Sequence, residues 1–139
     1  MRGFSAPGFD DHRARRRAPP LIRSKLEPPA VPASVVSRPR LLERLSDGDW
    51  RVAVVTGGAG TGKTLTVRHW LDTETPGPWA WVSLDSGDSH PERFWSYVLA
   101  ALDRAAPGCF VETAEWMLES GPHDPGFVPT LLNEAAAMT

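Results

Sequence analysis

Gly57-Gly58-Ala59-Gly60-Thr61-Gly62-Lys63-Thr64 fits G-x-x-x-x-G-K-[ST], the pattern of a loop whose backbone N–H groups cradle phosphate. Its flanks decide what fold to expect. Ahead of the glycines, Val52-Ala53-Val54-Val55 is a short apolar, β-branched run that reads as a strand buried on both faces. Behind Lys63, Thr64 to Leu71 contains no glycine or proline, and Leu65, Trp70 and Leu71 can share an inward face. A helix opening at the loop is the expectation. Strand, loop and helix together predict an α/β fold: part of a P-loop NTPase architecture, a parallel sheet flanked by helices.

The chemistry expected of such a loop follows from its atoms. Backbone N–H groups of about residues 58 to 63 would converge on a β-phosphate, aided by the positive end of the helix dipole. Glycines permit that close approach. Lys63 would reach the β- and γ-phosphates and the Thr64 hydroxyl would ligate Mg²⁺. The chain is therefore expected to bind ATP or GTP through Gly57, Gly58, Ala59, Gly60, Thr61, Gly62, Lys63, Thr64 and Leu65, with Thr64 also the metal ligand. Only two lysines, Lys25 and Lys63, occur beside thirteen arginines, so a lysine at the motif position is no accident of composition.

The 139 residues suffice for one small domain, yet fewer strand candidates are present than a complete P-loop domain uses. The net charge of −2 hides an asymmetry: residues 1 to 44 carry ten basic and four acidic side chains, residues 45 to 139 five and thirteen. Residues 1–30, with the arginine run from His12 to Arg17 and two Pro-Pro pairs, read as a disordered basic tail. That run has no interleaved aromatics to stack on bases, which favours a solvated leader over a nucleic-acid contact. No apolar stretch approaches the roughly 20 residues that span a bilayer. A cytoplasmic location without membrane contact is expected. A single cysteine, Cys109, excludes an internal disulfide, and His12, His69, His90 and His123 are too scattered to suggest a metal cluster.

Residues 31–139 read as the globular part. Pro39 suits the first turn of a helix with Leu41, Leu42 and Leu45 on one face, closed by Gly48. Trp79-Ala80-Trp81-Val82-Ser83-Leu84 is a second strand candidate that ends in Asp85. Next, Phe94, Trp95, Val98, Leu99, Leu102 and Ala106 recur at helical spacing and predict a broad buried face. Ser89 and Glu92 resemble a capping box for that helix, with Pro91 in its first turn. Phe94 and Trp95 read as core packing. Further helices are expected from Val111 to Glu119, stopped by Gly121-Pro122, and from near Pro129, with Leu131, Leu132 and Ala135 inward.

Hydrolysis needs more than the loop: a carboxylate at the end of an apolar strand to hold Mg²⁺, and a group that positions water. Only Asp85 has that form. Asp85 and Asp88 would equally suit the acceptor site of a small phosphotransferase, or simply a solvated loop in which Asp88 helps to cap the next helix.

Several segments, in order, resemble the large ATP-binding regulators of the LuxR type, within the STAND class of signalling NTPases. They are Lys25-Leu26 with Pro28-Pro29, Val36-Ser37-Arg38-Pro39-Arg40-Leu41-Leu42, GGAGTGKT followed by His69-Trp70-Leu71, Trp79 to Asp85, Asp88, Pro91 to Trp95, and Ala100-Ala101-Leu102. Leu131-Leu132-Asn133-Glu134 continues the likeness more thinly. The resemblance implies ATP and ADP as conformational effectors, with Val36 and Arg38 beside the adenine. It also implies an amino-terminal piece incomplete at its C-terminus, lacking the second Mg²⁺-binding strand, the sensor regions and the helix-turn-helix through which DNA would be bound. ATPase activity of such a piece would be weak at most, self-association would belong to a full-length protein, and a remnant without function is the remaining alternative.

Overall fold

The computed structural model describes residues 20–32, 36–75 and 77–138. The tail expected at 1–30 lies outside the described residues up to position 19. Among the described residues five α-helices follow in chain order: α1 (Pro39–Ser46), α2 (Lys63–Glu74), α3 (Pro91–Ala105), α4 (Val111–Glu119) and α5 (Phe127–Ala136). Two short 3-10 turns precede α1 and α3, at Arg23–Leu26 and Ser86–Asp88.

No β-strand occurs among the described residues, which overturns the expected parallel sheet and with it the P-loop NTPase architecture. Both strand candidates are irregular chain. Val52 and Val54 are 78% and 80% exposed, the opposite of a strand covered on both faces. The physical reason is pairing. A parallel strand exists only through ladder hydrogen bonds to neighbours, with helices laid over both faces. Among the described residues, the single backbone bond that reaches residues 79–84 from elsewhere is Ser83 N–H to the Lys25 carbonyl, at 2.7 Å. An apolar β-branched run supplies propensity and nothing more.

The helices form where periodicity placed them, with shifted details. Pro39 occupies the first turn of α1, after Arg38 as N-cap. Gly48 does not close α1 through a left-handed conformation; Asp47 is the C-cap, in right-handed geometry. Gly48 serves space instead, because a Cβ there would lie 1.7 Å from the Trp50 ring. That ring is tilted against Trp70 of α2 at 5.9 Å, and Trp70 Nε1 donates to Ser46 Oγ at 3.0 Å, so α1 and α2 pack as a pair.

α3 is the central helix and is covered on two sides. Tyr97 and Ala101 join Leu26 in one buried cluster, with Leu21 and Val82 against it. Leu99 joins Phe110 and Phe127 in a second, flanked by Trp95, Leu102, Met117 and Leu131. The single broad face expected for α3 is thus two stripes, and Tyr97, fully buried, belongs to the stripe the periodicity did not show. Trp95 packs edge-on against Phe127 at 5.0 Å, as core rather than ligand platform.

α4 ends as expected: Gly121 takes φ +83° just past Ser120, and its N–H reaches back to the Trp116 carbonyl. α5 begins two residues before Pro129, so Phe127 enters the core while Leu132 and Ala135, expected inward, are exposed. Glu134 adds a polar α4–α5 contact to the apolar one. Its carboxylate accepts from the backbone N–H groups of Glu112 and Thr113, at 2.9 and 3.1 Å, and from the Thr113 hydroxyl. A side chain from another helix therefore satisfies the open first turn of α4, which has no local cap.

Candidate anion-binding loop

The glycine loop meets α2 through two residues that only glycine accommodates without strain: Gly60 at φ +75° and Gly62, the N-cap of α2, at φ +77°. Inside the loop the Thr61 hydroxyl donates to the Gly58 carbonyl at 2.9 Å. Lys63 folds back over it, its ammonium donating to the carbonyls of Gly57 and Gly58 at 2.8 and 2.6 Å. The carbonyls thus face the lysine. None of the backbone N–H groups of residues 58–63 donates to an acceptor among the described residues. An exposed loop that spends its acceptors internally and leaves its donors open, at the positive end of a 12-residue helix, favours an anion.

Beside the loop lies a cavity of about 160 Å³. Gly60, Thr61 and Gly62 form one wall, and Leu65, Thr66 and His69 of α2 form the next. Val36, Arg38 and Leu42, from the approach to α1 and its first turns, close it. Of the residues expected at a nucleotide site, Val36, Arg38, Gly60, Thr61, Gly62 and Leu65 therefore line one space. Gly57, Gly58, Ala59, Lys63 and Thr64 sit outside its lining. Leu42, Thr66 and His69 were not anticipated there. Helical spacing held the signal: Thr66 and His69 stand three apart and Leu65 and His69 four apart on α2, as Arg38 and Leu42 do at the start of α1.

Asp85 and Asp88 sit in an ion-paired turn rather than in the solvated loop that was one expectation for them. Asp88 is 2% exposed. Lys25 Nζ donates to Asp88 Oδ2 and lies 2.9 Å from Asp85 Oδ2, while Arg93 Nε reaches Asp88 Oδ1 at 3.1 Å. The two aspartates form a capping box around the Ser86–Asp88 turn: Asp85 Oδ1 accepts from Gly87 N–H and Asp88 Oδ2 from Asp85 N–H. The box expected at Ser89 and Glu92 is therefore displaced. His90 is the N-cap of α3 without a side-chain capping bond, its Nδ1 lying 2.6 Å from Glu92 Oε2, and the Ser89 hydroxyl donates to the Ser86 carbonyl. The Lys25 ammonium holds both carboxyls below the usual carboxylate range, helped by the Gly87 and Asp85 N–H groups respectively. In return Asp88, then Asp85, raise the Lys25 ammonium. Neither carboxylate is a free ligand. Among the described residues, no three His, Cys, Asp or Glu side chains gather to hold a metal.

The glycine loop, its open N–H donors and the adjoining cavity form a candidate anion site. Comparison with known proteins then adds a specific likeness. Over 89 residues, 63% of the chain, it is 44% identical to the HTH-type transcriptional regulator MalT of Cronobacter sakazakii. The match takes in 10% of that protein, so the chain spans about a tenth of the length of the curated relative it matches. No protein-family profile matches the chain. No solved structure matches it either. No helix among the described residues is long and apolar enough to cross a membrane.

Proposed function

We propose that this chain is a nucleotide-binding segment of a LuxR-type transcriptional regulator, in which ATP and ADP bias a conformational equilibrium rather than drive metabolism. The observation that carries the reading is the set of open N–H donors over residues 58–63 above the amino end of α2. Phosphate oxygens would take those donors, and Lys63 would exchange the Gly57 and Gly58 carbonyls for the phosphate chain. The likeness to a transcriptional regulator supports the regulatory half of the reading.

Mg²⁺ fits this site in one respect. The Thr64 hydroxyl, exposed in the first turn of α2, has no partner among the described residues. A magnesium ion is commonly held by one or two protein oxygens, phosphates and several waters. When bound it would neutralise phosphate charge beside Lys63. Asp85 is occupied by Lys25 and Gly87, so hydrolysis is slow in this reading. DNA recognition belongs to other parts of a full regulator, which works in the cytoplasm where ATP is abundant.

Calorimetric titration of the 139-residue chain with Mg-ATP tests the proposal. Saturable binding is expected, weakened at least about tenfold in Lys63→Ala, because one charge-assisted contact to phosphate is worth roughly 1.5–3 kcal/mol. Equal binding by the two chains would contradict it.

A further inference from the structure

We infer that Arg38 is a phosphate ligand, a second cation that meets the glycine loop away from Lys63; the inference rests on the nucleotide reading above. Arg38 stands at the N-cap of α1, where its side chain makes no capping bond. Its guanidinium instead reaches the start of α2, for a Cβ placed on Gly62 would lie 3.8 Å from Arg38 Nη2. Gly62 is the N-cap of α2, so this cation sits at the end of the helix where the open N–H donors gather. No hydrogen bond or ion pair engages the guanidinium among the described residues. Arg68, further along α2, is by contrast committed to Asp72 and the Trp79 ring. A guanidinium beside the positive end of a helix, with no carboxylate between them, is an unfavourable juxtaposition. An anion relieves it.

Position separates the two cations. Lys63 bonds to the Gly57 and Gly58 carbonyls, outside the cavity, whereas Arg38 lines the cavity together with Gly60, Thr61 and Gly62. They therefore meet a bound phosphate chain at different points. The Thr61 and Thr66 hydroxyls, also in the cavity wall, already donate to the Gly58 and Gly62 carbonyls. Arg38 is the side chain at this end whose donors are unspent. The family likeness puts Arg38 beside adenine, but its place at Gly62 assigns it to phosphate. His69, the lining residue farthest along α2, lies roughly 10 Å beyond Gly62 at about 1.5 Å per residue. A guanidinium offers only donors, in a planar fork that matches two phosphate oxygens.

The test is calorimetry on the full chain with Mg-ATP and with inorganic tripolyphosphate, which has no base. Arg38→Ala should weaken both ligands by the same factor, about tenfold, the effect of losing one charge-assisted hydrogen bond. Arg38→Lys, which keeps the charge without the fork, should restore part of the loss. In wild type, the Arg38 Nε–H resonance should shift as tripolyphosphate is added, a readout that needs no variant. Tripolyphosphate binding that Lys63→Ala weakens and Arg38→Ala leaves unchanged overturns the inference and spares the nucleotide reading; if Mg-ATP alone weakens in Arg38→Ala, the residue belongs to the base. An unmoved Arg38 resonance at saturating tripolyphosphate overturns the inference too. Wild type that binds neither ligand overturns both.

Discussion

Two lysines in a chain of thirteen arginines are both held at defined positions. Lys63 spans two loop carbonyls, and Lys25 spans two carboxylates while lying 5.3 Å from the Tyr97 ring centre. Each site asks for a compact charge with several donors, which an ammonium supplies and a flat guanidinium does not. The glycine-loop motif, sharpened by composition, made Lys63 legible. Lys25 was legible only as a letter in a family likeness, because its partners lie about sixty residues away. The cluster has a pH signature. Asp88 and Asp85 have depressed pKa values in the folded chain, so their contribution is present above the ordinary carboxylate range, near 4, and is lost as pH falls through their folded values. The Lys25 value is raised, so its contribution is fully present below the ordinary lysine range, near 10.4, and is lost as pH rises through the folded value. Asp88→Asn should therefore lower the thermal unfolding midpoint by a constant margin between about pH 5 and 9, a margin that narrows as the pH drops below about 4. Melting curves across that range check this; a margin as large at pH 2 as at pH 7 would contradict it.

At the scale of elements, helices were readable and strands were not. α2 and α4 depend on local features: a glycine-led start, an uninterrupted run, a Gly-Pro stop. Residues 52–55 and 79–84 carry strand-like composition, but a strand is a property of a pair, and composition does not supply the partner. The cap of α4 is non-local in the same way. Glu134 lies some twenty residues from the N–H groups it accepts from, so no local pattern near Val111 announces it. Glu134→Ala should cost about 1 kcal/mol of stability, the ordinary value of a lost N-cap, with Glu134→Gln retaining part of it. Urea denaturation measures the difference, and an unchanged midpoint in Glu134→Ala would show that water caps α4 equally well.

On the scale of the whole molecule, α3 joins two small cores. One ties it to the Arg23–Leu26 turn, where Tyr97 Oη accepts from Ile22 N–H at 3.1 Å; the other ties it to α4 and α5. α2 carries the candidate site and connects to residues 79–84 through Arg68 stacked on Trp79 at 4.8 Å. The loop's geometry was legible because the motif is a local arrangement of glycines and one lysine at a helix start. His69 and Leu42 were not, because a cavity is assembled from segments that meet only in three dimensions. In the proposed reading the loop receives phosphate although no sheet supports it among the described residues. Amide chemical shifts of the ¹⁵N-labelled chain titrated with Mg-ATP test that claim most directly. The largest shifts should fall on the N–H groups of residues 58–63, and Lys63→Ala should reduce them. Shifts confined elsewhere, or none at saturating Mg-ATP, would contradict it.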